Sequence, residues 1–320
     1  PQPFDGKVVA AGFGDGSVNV LDAAGKRLHS FRPLGNELVD GLEFVDASTL
    51  FSWTYAGAFS LDRLDGVNLL KVGAPSRGGG DGLVVHGSKL FARFESPGVR
   101  LRELSRGQEH QSIKFETGRP SKMAASLDGR YLAVSRGPHV VFFDTSSGKR
   151  LGKLLKDSVF DVDDLEFTPR GTLLTLDRIS LREWSVPAGT AVRELTKMHL
   201  DVPYWLVVSD DARSLAAGGM VDSEPKTFYW PDPASETRPL EFAGRPLAVL
   251  SDGRLVTSTK SWTEVKVQFR ARSGDVQREL TYPVPKDDPN ADLRNPRLSP
   301  DGTQIAVPFL DEVHIIPVKP

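Results

Sequence analysis

A short turn sequence recurs along the whole chain at almost constant spacing. The copies are Asp-Gly pairs or close relatives, namely Asp5-Gly6, Asp46-Ala47, His86-Gly87, Asp128-Gly129, Arg170-Gly171, Asp211-Ala212, Asp252-Gly253 and Asp301-Gly302. Measured at the second residue of each pair, the successive spacings are 41, 40, 42, 42, 41, 41 and 49 residues. Near-equal intervals of this length indicate an internal repeat whose copies stack on one another. The long last interval contains residues 283–296, a loop rich in proline and charge.

Each repeat contains four short segments with the pattern of β-strands. The third segment alternates apolar and polar residues, as Val265, Val267 and Phe269 do with the residues between them, which is typical of a half-buried strand. The second segments are rich in small apolar residues, as in residues 9–12, 132–134 and 215–218. We expect them to be buried on both faces. No stretch has the period of an amphipathic helix, so the pattern predicts an all-β chain.

Four-stranded repeats at this spacing predict a closed β-propeller, a ring of four-stranded blades. Eight turn pairs favour eight blades, and seven blades is the alternative, which leaves about two strands unplaced. Residues 1–320 then form a single propeller domain of eight repeats of about 41 residues. We expect the first and last repeats to lie side by side, because ring closure hides the sheet edges.

The turn sequences also carry a family resemblance. In the segment Ser299-Pro300-Asp301-Gly302, proline presets φ for a type I turn and glycine adopts the conformation that ends it. With Leu298, this segment is similar to the first-strand ending of WD40 repeats, and residues 167–171 approximate it. The family's Trp-Asp pair survives only as relatives, which are Leu21-Asp22, Phe143-Asp144, Trp184-Ser185 and Trp230-Pro231. The family's Gly-His pair is missing.

The whole chain therefore resembles a degenerate, bacterial-type WD40 propeller. The resemblance implies a rigid platform for binding partners, and bacterial members often follow an effector domain in the same polypeptide. The chain starts at Pro1 without an initiator methionine, so we expect it to be part of a longer protein. Fold resemblance does not identify the partner.

Composition excludes several classes of function. The formal charge of −2 gives no basic balance that would indicate nucleic-acid binding. No run of 18 apolar residues is present, so we expect no membrane partner. The absence of cysteine excludes disulfides, thiolate metal sites and a cysteine nucleophile. The compartment stays open, with the cytoplasm slightly favoured.

Residues that could bind a metal are present but poorly arranged. The acidic segment Asp157, Asp161, Asp163 and Asp164 lacks the glycine turn and the ligand spacing of a calcium loop. The six histidines lie in different repeats, and His86 and His139 are nearest to the strands that would surround a channel. The glycine-rich residues 76–82 are followed by neither Lys-Ser/Thr nor a helix, so they do not indicate a phosphate loop. We therefore expect no metal, no cofactor and no catalytic residue.

Aromatic residues near strand ends are the candidates for partner binding. They lie close to the ends of second strands or just before first strands, two kinds of loop that emerge on the same face of a propeller. The predicted partner-binding residues, including one lysine of a polar rim, are Trp53, Tyr55, Tyr204, Trp205, Lys260, Trp262 and Phe309. Exposed aromatic residues dominate binding hot spots, whereas buried ones belong to the core between blades.

The favoured function is a protein-interaction scaffold or sensor module that binds another protein or peptide on one propeller face. The alternative is an enzyme propeller, similar to a lactonase or hydrolase, with its site at the central channel. That alternative requires four or more converging histidine, acidic or asparagine side chains. A carbohydrate-binding propeller is a third, weaker hypothesis, which requires exposed aromatic platforms beside asparagine or aspartate.

Overall fold

The computed structural model describes residues 8–73, 82–95, 98–115, 120–155, 160–197, 199–234, 238–284, 297–298, 303–309 and 312–318. Within these ranges the chain forms thirty β-strands, and its only helix is a short 3₁₀ segment, His86–Ser88. Every strand pairing is antiparallel between neighbours in the sequence, which produces eight successive sheets. The all-β prediction is confirmed. None of the described residues forms a helix that is long and apolar enough to cross a membrane.

The sheets are numbered 1 to 8 in chain order. Sheets 1 to 4 contain β1 (Val8–Gly12), β2 (Val18–Asp22), β3 (Arg27–Phe31); β4 (Gly41–Asp46), β5 (Thr49–Trp53), β6 (Phe59–Arg63), β7 (Asn68–Val72); β8 (Gly82–Val85), β9 (Leu90–Glu95), β10 (Gly98–Glu103), β11 (Glu109–Lys114); β12 (Lys122–Ala125), β13 (Tyr131–Arg136), β14 (His139–Asp144), β15 (Arg150–Leu155). Sheets 5 to 8 contain β16 (Asp164–Phe167), β17 (Leu173–Leu176), β18 (Ser180–Trp184), β19 (Ala191–Lys197); β20 (Val202–Val208), β21 (Leu215–Val221), β22 (Glu224–Trp230), β23 (Leu240–Ala243); β24 (Arg245–Val249), β25 (Leu255–Lys260), β26 (Glu264–Arg270), β27 (Val276–Pro283); β28 (Arg297–Leu298), β29 (Gln304–Phe309), β30 (Glu312–Pro317).

The sheets are arranged as the blades of a propeller. The first strands of sheets 2 to 8 form the inner edge, and neighbouring sheets contact one another through them. The ring closes between sheets 8 and 1. Gln304 at the start of β29 donates a hydrogen bond from Nε2 to the backbone oxygen of Ala23, at 3.1 Å. A Cβ at Gly25, in the turn between β2 and β3, would lie 3.7 Å from Ile315 in β30.

The prediction of eight four-stranded blades is wrong. Only six sheets have four strands in the described part of the chain, and sheets 1 and 8 have three each. The thirty described strands are enough for seven four-stranded blades, the alternative given above, with two strands left over, and they are two fewer than eight such blades require. The shortfall lies at the two ends of the chain. By alignment of the repeats, sheet 1 lacks a described first strand and sheet 8 lacks a described outer strand.

The recurring turn pairs join first strands to second strands, as their sequences predict. In sheet 4 the backbone N–H of Gly129 donates to the oxygen of Ser126 at 2.8 Å. The Ser126 hydroxyl in turn donates to the Asp128 carboxylate at 2.6 Å. In sheet 6 the Ser209 hydroxyl repeats this bond to Asp211 at 2.7 Å. The pairs Asp5-Gly6 and Asp301-Gly302 lie outside the described residues.

Second and third strands carry most of the core. Leu132, Ala133 and Val134 in β13 are completely buried, as expected for a strand covered on both faces. In β26 the buried residues Val265, Val267 and Phe269 alternate with partly exposed ones, which confirms the period of two. These three pack with Ile305, Val307 and Ile316 of sheet 8 in one apolar cluster. The apolar surface between sheets therefore holds the ring together.

Candidate functional site

Two kinds of loop meet on one face of the ring. One joins second to third strands, and the other leads from an outer strand into the next first strand. Asp40, just before β4, donates its N–H to the backbone oxygen of Trp53 at 3.0 Å, and its carboxylate accepts the N–H of Tyr55. Asp201, just before β20, does the same with Met220 at 2.8 Å and Asp222 at 2.8 Å. We call this side of the ring the aromatic face, after Tyr55, Tyr204 and Trp262.

Tyr55 lies at the tip of a tight turn between β5 and β6. Its side chain is 54% exposed. The turn is closed by Thr54, whose Oγ1 accepts the N–H groups of Gly57 at 3.1 Å and Ala58 at 3.2 Å. The N–H of Tyr55 is bound by Asp40, and its backbone oxygen accepts a bond from Nη2 of Arg93 at 2.9 Å. Both backbone groups of this residue are therefore fixed from outside the turn while the ring faces solvent.

Arg93 is a charged side chain in the core beneath this turn. It belongs to β9 in sheet 3 and is only 2% exposed. Burial lowers the pKa of its guanidinium, and the neighbouring Glu95 carboxylate opposes that shift. The guanidinium fits because Gly57 has no side chain: a Cβ there would lie 2.0 Å from Nη1. The φ of +110° at Gly57 also favours glycine.

Trp262 lies at the tip of the corresponding turn in sheet 7. Its side chain is 85% exposed, the largest exposed fraction among the large hydrophobic residues described. The Ser261 hydroxyl accepts the N–H groups of Thr263 at 3.3 Å and Glu264 at 3.1 Å, which holds the turn closed. Lys260, exposed at the end of β25, forms no ion pair with any described residue. The exposed indole of Trp262 therefore lies two residues along the sequence from the ammonium group of Lys260, which has no described carboxylate partner.

The other predicted aromatic residues differ in exposure. Trp53 is partly buried and packs on Phe51 and Phe91, with ring centroids 5.8 and 5.6 Å away. It is therefore part of the core. Tyr204 is 51% exposed, and its ring centroid lies 5.4 Å from that of the partly buried Trp205. Both lie inside β20 at a bulge, and not before the strand as predicted. The backbone of Phe309 ends β29, and its side chain lies outside the described residues.

The described residues of the acidic segment lie at the start of sheet 5, and Lys122 at the start of sheet 4 is close enough to influence them. Asp164 starts β16, and burial raises the pKa of its carboxyl to about 6, although the charge of Lys122 opposes the rise. Burial also raises the pKa of Asp163, whose Oδ2 has no hydrogen-bond partner. Asp161 is exposed, and Asp157 lies outside the described residues.

Possible metal ligands are dispersed across the ring. His86 lies in the 3₁₀ segment between β8 and β9, where its Nε2 is 2.6 Å from Oε1 of Glu43. His139 is in β14, one sheet away. In the parts of the chain that the structure describes, no group of three or more histidine, aspartate or glutamate residues is placed to hold a metal ion.

No protein-family profile matches this sequence. No curated protein is significantly similar to it. Function must therefore be inferred from the described residues themselves.

The residues that fix the backbone of the exposed Tyr55 were not predicted from the sequence. Asp40 and Arg93 were not singled out, although an arginine within the apolar run of β9 is a signal that could have been noticed. Five glycines also went unnoticed, although they recur at intervals of 41 residues: Gly25, Gly66, Gly107, Gly148 and Gly189. All have positive φ and lie in the turns between third and outer strands. At Gly66 and Gly107 this turn packs on the outer strand of the preceding sheet.

Proposed function

We propose that this chain is a protein-interaction module that binds another protein or peptide on its aromatic face. Tyr55 and Trp262 are the anchors, and Lys260 supplies part of a polar rim. In this proposal the propeller ring is a rigid scaffold and the loops of one face select the partner. The resemblance to WD40 repeats agrees with such a role.

The fixed backbone of the exposed Tyr55 carries the proposal. An exposed aromatic side chain loses entropy when a partner orders it and the loop beneath it. Here Asp40 and Arg93 already hold the loop on both sides of the residue. The loop is therefore already ordered in the free protein, and binding a partner costs less conformational entropy. Burial of one such ring contributes roughly 1.5–3 kcal/mol.

Trp262 provides a second anchor of the same kind. It projects from a closed turn, and hydroxyl groups and Lys260 stand beside it in the sequence. The nearby carboxylates of Glu264 and Glu279 are both paired with Lys266, at 3.3 and 3.1 Å. Tryptophan and tyrosine surrounded by polar groups are typical of interaction hot spots.

The test compares variants that remove exposed apolar side chains from the aromatic face and from the opposite face of the propeller. The double variant Tyr55→Ala, Trp262→Ala removes both anchors. The control Leu127→Ala removes a side chain that is 53% exposed in a turn between a first and a second strand. Proteins captured by cross-linking are quantified for the purified unmodified chain, for the double variant and for Leu127→Ala. We expect a specific partner to be lost with the double variant and retained with Leu127→Ala. If every captured protein is retained by the double variant, the proposal is wrong.

An enzyme propeller is the second candidate, and Asp164 is the observation that favours it. A carboxyl group with a pKa of about 6, beside a lysine and a second aspartate, has the protonation behaviour of a general acid or base. This candidate predicts hydrolysis of ester or lactone probes that Asp164→Asn abolishes. Equal turnover by both proteins, or none by either, would exclude it for those probes.

A further inference from the structure

We propose that the outer edge of β30 binds an extended, acidic segment of a partner protein, which adds to sheet 8 as a fourth antiparallel strand. This interaction surface is separate from the aromatic face. It lies on the rim of the ring, between the outer strands of sheets 7 and 1.

The six complete sheets show what covers such an edge. In each of them the third strand pairs with an antiparallel outer strand, as β14 does with β15. Sheet 8 has no such strand among the described residues. Val140 and Phe142 of β14 pair with β15 and are buried, whereas Val313 and Ile315, their counterparts in β30, are only partly buried. A β-strand therefore matches the shape and chemistry of this edge.

The backbone of β30 presents its hydrogen-bonding groups to the edge. The N–H of Val318 donates to the oxygen of Thr303 at 2.7 Å, just as Thr145 donates to Arg130 at 3.0 Å in sheet 4. Bonded pairs recur at every second residue of an antiparallel ladder. Ile316 and His314 are therefore bonded to β29, and the N–H and C=O groups of Val313 and Ile315 point outward. Such groups are ready to pair with an added strand.

The charges beside this edge indicate an acidic partner. Lys26 is exposed in the turn whose Gly25 faces Ile315. It forms no ion pair with a described residue. On the other side, Arg278 of β27 donates from Nη1 to the backbone oxygen of Pro317 at 2.6 Å, and it too has no described carboxylate partner. Two cationic side chains thus flank the position of the added strand, where carboxylates of a partner would complement them.

The side-chain pattern of the partner follows from the other sheets. Where the turn of a following sheet packs on an outer strand, the contacts are Gly66 with Phe31, Gly107 with Leu70 and Val72, Gly148 with Gln111, and Gly274 with Leu240 and Phe242. The position over Gly25 therefore suits an apolar residue, as at three of these four turns. An extended segment with alternating apolar and acidic residues satisfies both the packing and the charge.

The experiment uses the whole chain and a labelled peptide of about eight residues that alternates valine and glutamate. We expect it to bind the protein and to slow hydrogen exchange in β30. A Lys/Val peptide and a Glu/Val peptide with a central proline are the controls, and both should bind about tenfold more weakly or worse. Val313→Pro in the protein should weaken binding of the Glu/Val peptide by about the same factor, because it removes an outward N–H but no bond to β29.

Other outcomes would overturn the proposal. No binding at about 1 mM peptide, or protection that maps to another strand, means that the edge does not accept a strand. If Val313→Pro does not fold, the two control peptides still decide the question on the unmodified protein: equal binding of all three peptides contradicts the proposal. The double variant Tyr55→Ala, Trp262→Ala should bind the Glu/Val peptide normally, so this test is independent of the function proposed for the aromatic face.

Discussion

The guanidinium of Arg93 in sheet 3 occupies the space above Gly57 in sheet 2 and binds the backbone oxygen of Tyr55. A residue of one sheet thus fixes the exposed loop of its neighbour. The conformation of the loop depends on the contact between the two sheets and not on the turn sequence alone.

This relationship predicts that Gly57→Ala is strongly destabilising. The added Cβ would clash with the Arg93 guanidinium and would also occupy an unfavourable φ of +110°. We expect a loss of about 2–4 kcal/mol in the free energy of unfolding, measured by denaturant titration. Gly171→Ala is the matched control, because its φ is +80° but no atom lies within 4 Å of the added Cβ. That change should cost about 1 kcal/mol. Equal losses would contradict the role of Arg93.

Two tryptophans in sheets 2 and 7, Trp53 within β5 and Trp262 in the turn after β25, should respond differently to truncation. Trp53→Ala removes a ring packed between Phe51 and Phe91 and should cost about 3 kcal/mol in the free energy of unfolding. Trp262→Ala removes a ring that is 85% exposed and should change stability by less than about 0.5 kcal/mol. Thermal and denaturant unfolding of both variants measures this contrast. A large loss with Trp262→Ala would show that its ring packs on the fold.

Asp164 should make stability depend on pH in the acid range. Its pKa of about 6 in the folded protein lies above the usual value of 3.8, so the folded state binds the proton more tightly. The contribution of Asp164 protonation to the free energy of unfolding is therefore largest near pH 4 and falls as the pH rises to about 6. Above that pH it is constant.

The variant Asp164→Asn cannot ionise and lacks this dependence. It should be more stable than the natural chain at pH 8, by up to roughly 3 kcal/mol, and the difference should shrink as the pH falls towards 4. Unfolding titrations of both proteins at pH 4, 6 and 8 measure it. A difference that stays constant over this range would rule out Asp164 as the titrating group.

Removal of residues 303–320 should open the ring. Ile305, Val307 and Ile316 are buried against β26 of sheet 7, and each contributes roughly 1.5–3 kcal/mol. Their loss approaches the whole stability of a typical domain, about 5–15 kcal/mol. We expect rapid proteolysis and aggregation of the truncated chain. A chain that ends at Val318 keeps every described residue and should resist protease as the full chain does. Unchanged melting after the long truncation would contradict closure through sheet 8.

The sequence was sufficient to predict the repeat, the strands and the turns that join first strands to second strands. These features depend on local chemistry: the Asp128-Gly129 turn forms because its own residues supply the hydrogen bonds and the positive φ. The count of complete blades was wrong because the terminal repeats contain the turn sequence but have only three strands each among the described residues. Turn spacing does not show which strands a repeat lacks.

Exposure of the aromatic residues could not be predicted in the same way. Trp53 ends β5 and meets Gly41 and Phe91, which come from other strands, whereas Trp262 lies in the turn that follows β25. Burial is set by neighbours that are distant in sequence. Whether these residues bind a partner stays a prediction.

The seam between sheets 8 and 1 has a mechanical consequence. Val8 and Val318, the first and last described residues, belong to the two sheets that meet there. Tension applied to the two ends would pull directly on this seam, where the Gln304 bond to Ala23 and the Gly25 contact with Ile315 lie. The other sheets are joined to their neighbours by continuous polypeptide. A ring anchored at both ends would therefore yield first at this seam, and the turn between β2 and β3 would separate from β29 and β30 before any complete blade is disturbed.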